Sequence, residues 1–221
     1  MSASTDLATR IAVAGVHLAF AGDGGPRPVL TGVDLEVREG EVVAIAGRSG
    51  SGKTTLLIVI AGLVAPDVGM ASVLGRRADD THPWYEVALL PQSLGLLDEL
   101  TVEENIALPS RLQGSASPRD LAGLLDRLGL ARLARRFPSE ISLGEQQRTA
   151  LARAVIGGPR VLLADEPISH QNLEWAEVCM QIVAELAEAG TSCLLATHNE
   201  LAFAHAHRVL ELRAGRLSPR P

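Results

Sequence analysis

The chain has 221 residues, 47% apolar and 21% charged, which suits one large domain or a core with an insertion and excludes a disordered or collagen-like chain. Aromatics make up only 3%, so the core must be aliphatic. With 20 basic against 26 acidic residues the net charge is −6, the wrong balance for a nucleic-acid binder or a polybasic membrane patch.

Met1 to Asp6 lack the basic and apolar regions of a secretory signal. Gly22-Asp23-Gly24-Gly25-Pro26 reads as a turn between two N-terminal strands, with Phe20 just before it. Glu41 to Ala46 is an apolar, β-branched run that reads as a buried strand. Gly47-Arg48-Ser49-Gly50-Ser51-Gly52-Lys53-Thr54 follows it and fits G-x-x-x-x-G-K-[ST] without a mismatch. Such a loop wraps a phosphate chain with inward N–H groups, its lysine reaches the β/γ-phosphates, and its threonine hydroxyl ligates Mg2+. Of the 20 basic residues 19 are arginine, and the single lysine is Lys53; a compact ammonium is needed at that point. From Lys53 to Ala65 the pattern is helical, stopped by Pro66-Asp67. Leu56 to Ala65, the longest apolar stretch, is about half of a membrane span.

Val87 to Leu90 reads as another buried strand, closed by Pro91 and followed by Gln92. From about Ser93 to Gly158 the pattern is helical only. Thr101 to Glu104 is a capping box. Ser117-Pro118-Arg119-Asp120 reads as an N-cap with proline at the first helical position, and a third helix opens near Ser142. Arg132, Arg135 and Arg136 read as a solvated helix face. Val161 to Ala164 is a strand ending in Asp165-Glu166, an acidic pair placed to hold Mg2+ and to take a proton from water. Cys193 to Ala196 is the last buried strand, followed by His198. Cys179 and Cys193 form no metal pattern and read as reduced core thiols, and His205 and His207 as surface residues. A GTPase is excluded, because its guanine-reading motif needs a second lysine.

Seven segments in order resemble the ATP-binding subunit of ATP-binding cassette (ABC) transporters over nearly the whole chain. Phe20 is similar to the adenine-stacking aromatic, Gly47 to Thr54 to the Walker A loop, and Gln92 to the glutamine loop. Ile141 to Gln147 resembles the LSGGQ-type signature, Val161 to Glu166 the Walker B strand, Ser169 to Asn172 the D-loop, and His198 the switch histidine. Taken alone, Phe20 also reads as a strand residue, Gln92 as a loop glutamine, and Ser142 with Glu145 as a plain capping box. The resemblance implies an α/β P-loop NTPase core with a mostly parallel sheet, N-terminal antiparallel strands and an inserted all-α subdomain. Residues 1–221 then form one cassette, with 1–92 and 159–221 as core and 93–158 as the helical part.

It also implies ATP and Mg2+ as cofactors. Gly47, Arg48, Ser49, Gly50, Ser51, Gly52, Lys53, Thr54, Thr55 and Phe20 would hold the nucleotide, with Thr54, Gln92 and Asp165 on the metal. Glu166 and His198 would be catalytic, and Ser142, Gly144, Glu145 and Asn172 would act across a dimer. The implied partners are a transmembrane permease and a second cassette, in a homodimer or a heterodimer. Nucleic acid is not among them, and the implied location is the cytoplasmic face of the membrane. Two positions depart from the family pattern: Leu143 replaces the first signature glycine, and Asn172 the D-loop aspartate. They leave open a regulatory cassette that binds ATP with little turnover. Leu100 to Pro109 and Leu163 to Pro167 resemble the lipoprotein-releasing and macrolide-exporter branch.

Overall fold

A computed structural model describes residues 7–22, 25–80, 85–113 and 120–220. Two sheets organise it. The first is antiparallel and contains β1 (Thr9–Phe20), β2 (Arg27–Arg38), β4 (Val68–Val73) and β5 (Arg76–Arg77), in the order β2-β1-β4-β5. In β2 the buried residues Leu30, Val33, Leu35 and Val37 face the core, while Asp34, Glu36 and Arg38 face solvent, the alternation expected of a sheet packed on one side.

The second sheet joins β3 (Val42–Ala46), β6 (Val87–Leu90), β7 (Val161–Asp165), β8 (Ser192–Ala196), β9 (Arg208–Arg213) and β10 (Arg216–Pro219), in the order β10-β9-β3-β8-β7-β6. All its pairings are parallel except the β9–β10 hairpin. Every residue of β3, β7 and β8 is buried, because this sheet is covered on both faces. Leu163, Leu194 and Ile45 pack on one side, with the first sheet and α1 (Lys53–Ile60). Leu162, Cys193 and Leu195 pack on the other, with Ile106, Leu151 and Met180 from the helices. The anticipated fold class holds, including the antiparallel N-terminal strands.

Between β6 and β7 the described residues form only helical elements: α2 (Val102–Leu112), α3 (Leu121–Arg127), α4 (Leu143–Val155) and two short 3-10 turns. The capping box of α2 is present: Thr101 N–H donates to Glu104 Oε2 at 3.0 Å and Glu104 N–H to Thr101 Oγ1 at 3.4 Å. After β7 come α5 (Leu173–Glu188) and the short α6 (Glu200–Ala204). Among the described residues no helix is long and apolar enough to cross a membrane.

Several local expectations need correction. α1 ends at Ile60 rather than Ala65. Gly62, at φ 73°, closes it with a bond from Leu63 N–H to the Ile58 carbonyl at 2.9 Å, the helix-terminating pattern of a left-handed residue. A β-carbon at Gly62 would lie 1.9 Å from the Ala78 carbonyl oxygen. α3 is capped by Asp120, which accepts from Gly123 N–H at 3.1 Å; Ser117 to Arg119 lie outside the described residues, as do Asp23 and Gly24 of the first turn. Arg132 stands in a 3-10 turn rather than on an α-helical face, and Arg136 pairs with Glu140 at 3.1 Å. His205 is not a free surface residue: its Nε2 meets Glu177 Oε1 at 3.1 Å. The exposed His207 accepts from Val42 N–H through Nδ1 at 3.0 Å. Cys179 and Cys193 are buried and free, their thiols pushed up to about 12 by burial.

Candidate functional site

The loops that follow β3, β6, β7 and β8 all leave the carboxyl end of the parallel sheet, where open α/β sheets bind ligands. The first runs from Gly47 to Gly52 between β3 and α1. A β-carbon at Gly47 would lie 2.6 Å from the Leu212 carbonyl oxygen and 2.7 Å from Ser51 Oγ, so only glycine fits. Gly52 precedes α1 in left-handed backbone (φ 104°), with no side-chain cap and no acidic residue in the first turn. The helix therefore opens with unshielded N–H groups and positive potential. Lys53 is almost fully buried, and its Nζ donates to the carbonyls of Gly47 at 2.8 Å and Arg48 at 3.4 Å. The buried Ser51 hydroxyl has no hydrogen-bond partner among the described residues. A loop of inward donors around a buried ammonium fits a phosphate chain.

Asp165 closes β7, and its Oδ2 accepts from the Thr54 hydroxyl at 2.5 Å. Burial raises the Asp165 pKa, while the Thr54 hydrogen bond opposes that rise and the neighbouring Glu166 charge adds to it. A threonine hydroxyl and a desolvated carboxylate at one point are hard oxygen donors, the set that suits Mg2+. Glu166, next along the chain, has φ 51°. Its carboxylate accepts from Thr197 Oγ1 at 3.0 Å and shares a 2.8 Å hydrogen bond with His198 Nδ1. Glu166 is buried, whereas the His198 side chain is 73% exposed. A carboxylate held on both oxygens beside a phosphate loop can orient water and take its proton.

A cleft of about 750 Å3 is lined by the loop from Gly47 to Thr55 together with Phe20, Gln92, Asp165, Glu166 and His198. The structure thus brings together every residue expected on the chain's own nucleotide side. Phe20 ends β1 half-exposed at the cleft mouth. Gln92 and Asp165 also line an adjoining cleft of about 380 Å3 against Leu57 and Ile58 of α1.

The four residues expected to act across a dimer do not line this cleft. Ser142 and Glu145 form the capping box of α4, with both the backbone N–H and the hydroxyl of Ser142 donating to Glu145 Oε2 at 2.7 Å. These bonds, the hydroxyl's first, hold the Glu145 carboxyl below its usual range. The Gly144 carbonyl accepts from Gln171 Nε2 at 2.8 Å. Asn172 caps α5, its Oδ1 accepting from Trp175 N–H at 2.9 Å. Leu143 projects from the first position of α4, 48% exposed.

Two further residues, Thr197 and Arg153, go unread in the sequence, and Gln147 reads only as the last residue of the signature-like segment. Thr197 holds the Glu166 carboxylate. Gln147 donates to the Glu166 carbonyl at 2.6 Å. Arg153 donates to the carbonyls of Leu94 and Gly95 at 2.8 and 2.7 Å, two consecutive left-handed residues just after Gln92. Thr197 has a local signal as the residue between a buried strand and His198, whereas Arg153 has none.

Residues 30–169 match the family model described as ABC transporter. The Fe(3+) ions import ATP-binding protein FbpC of Streptomyces avermitilis is 42% identical, over 88% of this chain and 58% of that protein. The lipoprotein-releasing system ATP-binding protein LolD of Shewanella sp. (strain MR-4) is 36% identical, over 86% of this chain and 87% of that one. Among solved structures, the dimeric ATP-binding cassette MJ0796 in a post-hydrolysis state, bound to ADP and Pi, superposes with a TM-score of 0.86 at 26% identity, covering 96% of this chain and 99% of that one. With a P-loop cleft of this composition and these relatives, the chain belongs to the ABC transporter family, as one of its ATP-binding subunits.

Proposed function

We propose that the chain binds Mg·ATP in the cleft between the phosphate loop and the ends of β7 and β8, and hydrolyses it to drive a separate membrane permease. The observation that carries this reading is the convergence of Lys53, Thr54, Asp165, Glu166 and His198 on one cleft. Loop N–H groups and the Lys53 ammonium neutralise the phosphates, and Phe20 offers its ring to the base. Thr54, Asp165 and Gln92 would hold Mg2+, which supplies positive charge against the β- and γ-phosphate oxygens. Glu166 takes a proton from the attacking water while Thr197 and His198 keep its carboxylate in place. The contribution is mainly electrostatic and positional.

In this reading residues 93–158 form a helical subdomain that sets the N-terminus of α4 toward the phosphate loop of a second cassette. Ser142, Gly144, Glu145 and Asn172 then act across the dimer, and the pair works at the cytoplasmic face of the membrane beneath the permease. A second reading, a cassette that binds ATP but turns over slowly, is favoured by the exposed Leu143 side chain on the first turn of α4. Isolation of the tagged chain from solubilised membranes, with identification of what accompanies it, tests the first reading. Absence of any multispanning companion counts against the permease. ATP binding without phosphate release selects the second reading.

A further inference from the structure

We infer that Gln147 is a positioning residue for the general base, holding Glu166 and the loop after it in register with α4. The inference rests on the reading of Glu166 as that base. Glu166 is a non-glycine residue in left-handed backbone, at φ 51°, a conformation that persists only where the surroundings over-determine it. Its own N–H donates to the Ala196 carbonyl at 2.7 Å, and Thr197 and His198 hold its carboxylate. Those three contacts come from β8 and the loop that follows it.

Within the turn that follows, Ser169 N–H donates to the Glu166 carbonyl at 3.3 Å, and one more contact comes from a different part of the fold. Gln147, on α4, is 2% exposed, and its Nε2 donates to the Glu166 carbonyl at 2.6 Å. The same amide reaches Ser169 Oγ at 3.3 Å and accepts from His170 N–H at 2.9 Å. One side chain thus ties both ends of the turn from Glu166 to His170. Two more bonds of α4 reinforce the tie. The Gly144 carbonyl accepts from Gln171 Nε2, and Arg148 donates to Gln171 Oε1 at 2.9 Å. α4 and the turn from Glu166 to His170 are thus linked directly, whereas the phosphate loop stands on β3 and α1. Gln147 does not line the nucleotide cleft; it sets where the base stands.

A purely structural amide would affect folding and leave the turnover of folded protein alone. A positioning residue would lower kcat without changing nucleotide binding. Gln147→Met keeps length and removes both hydrogen-bonding functions. Gln147→Asn keeps both hydrogen-bonding functions on a stem one methylene shorter, which draws the amide away from the Glu166 carbonyl. Steady-state ATPase and ATP calorimetry on the full chain would compare both with wild type and Glu166→Gln. The expected result is a kcat lowered about tenfold to hundredfold in each Gln147 variant, with KM and ATP affinity within about twofold of wild type. Wild-type kcat in either folded Gln147 variant, beside an inactive Glu166→Gln, overturns the inference and leaves the base assignment standing. Wild-type turnover in Glu166→Gln overturns both. Should the methionine variant fail to fold, the asparagine variant decides alone.

Discussion

Thr54 and Asp165, 111 residues apart in sequence, share a hydrogen bond of 2.5 Å from hydroxyl to carboxylate. It ties the first turn of α1 to the end of β7, where the phosphate loop and the acidic pair line one cleft. Asp165 is also buried at that junction, and its burial has a consequence for stability.

Because burial raises the Asp165 pKa, the folded chain holds the protonated carboxyl more readily than the unfolded chain does. Its favourable contribution is fully present below the ordinary carboxylate range and is lost as pH rises through the folded-state value. At neutral pH the charged group therefore costs the nucleotide-free protein stability. Asp165→Asn should melt at a higher temperature than wild type near pH 8 in chelator, the difference shrinking toward about pH 4, while ATPase is lost. Addition of Mg·ATP should stabilise wild type more than the variant. Superimposable melting curves across this pH range would refute the claim.

Lys53→Ala should weaken Mg·ATP binding roughly tenfold to hundredfold, the worth of charge-assisted hydrogen bonds, and abolish hydrolysis. The chain holds no other lysine. Lys53→Arg should not restore activity, because a planar fork cannot fill the place of a compact ammonium beside the Gly47 carbonyl. Calorimetry on folded protein decides this, and unchanged affinity in the alanine variant would remove Lys53 from the site.

Glu166→Gln should leave ATP affinity near wild type while slowing turnover by about 100-fold or more, the range for loss of a general base. The amide oxygen can still accept from Thr197 Oγ1, so the loop keeps its shape. ATP should then accumulate a dimer on size-exclusion chromatography. A variant that remains monomeric with ATP would speak against dimer closure ahead of hydrolysis.

Much of the fold and the site was legible because its determinants are local in sequence. Val42 to Ala46 and Val161 to Ala164 read as strands since both faces of the parallel sheet are covered, leaving no polar alternation to blur them. The phosphate loop and the two capping boxes are read from residues within one or two turns of each other. What escaped depends on packing between distant segments. Gln147 reads only as the end of the signature-like segment until α4 lies against Glu166, and His205 reads as surface until α5 presents Glu177. The β9–β10 hairpin turns at Ala214-Gly215, both at positive φ. Alanine in the first left-handed position is not the residue type that announces such a turn.

Leu143 and Asn172, the two departures from the family pattern, should separate in their effects. Leu143 occupies the first position of α4, half-exposed. If that helix end approaches a partner's γ-phosphate, the leucine side chain crowds an approach that glycine permits. Leu143→Gly should therefore raise the ATPase rate of a homodimer, at a cost of at most about 1 kcal/mol in helix stability. Asn172 already performs a local task, accepting from Trp175 N–H at the start of α5. Aspartate can accept the same bond and adds a negative charge at a helix N-terminus, so Asn172→Asp should gain about 0.3–1 kcal/mol in stability. Asn172→Ala should lose about 1 kcal/mol with the cap. The restored charge should also order the loop that crosses to the partner, adding to the gain from Leu143→Gly. In a heterodimer the signature of this chain serves only the partner's nucleotide, and the two substitutions should then speed that site alone. Steady-state ATPase on the single and double variants, with melting curves and dimerisation measured beside it, distinguishes the outcomes. A stability gain from Asn172→Asp with no rise in turnover would confine Asn172 to capping α5. No gain in turnover from Leu143→Gly would show that the leucine is tolerated at the N-terminus of α4.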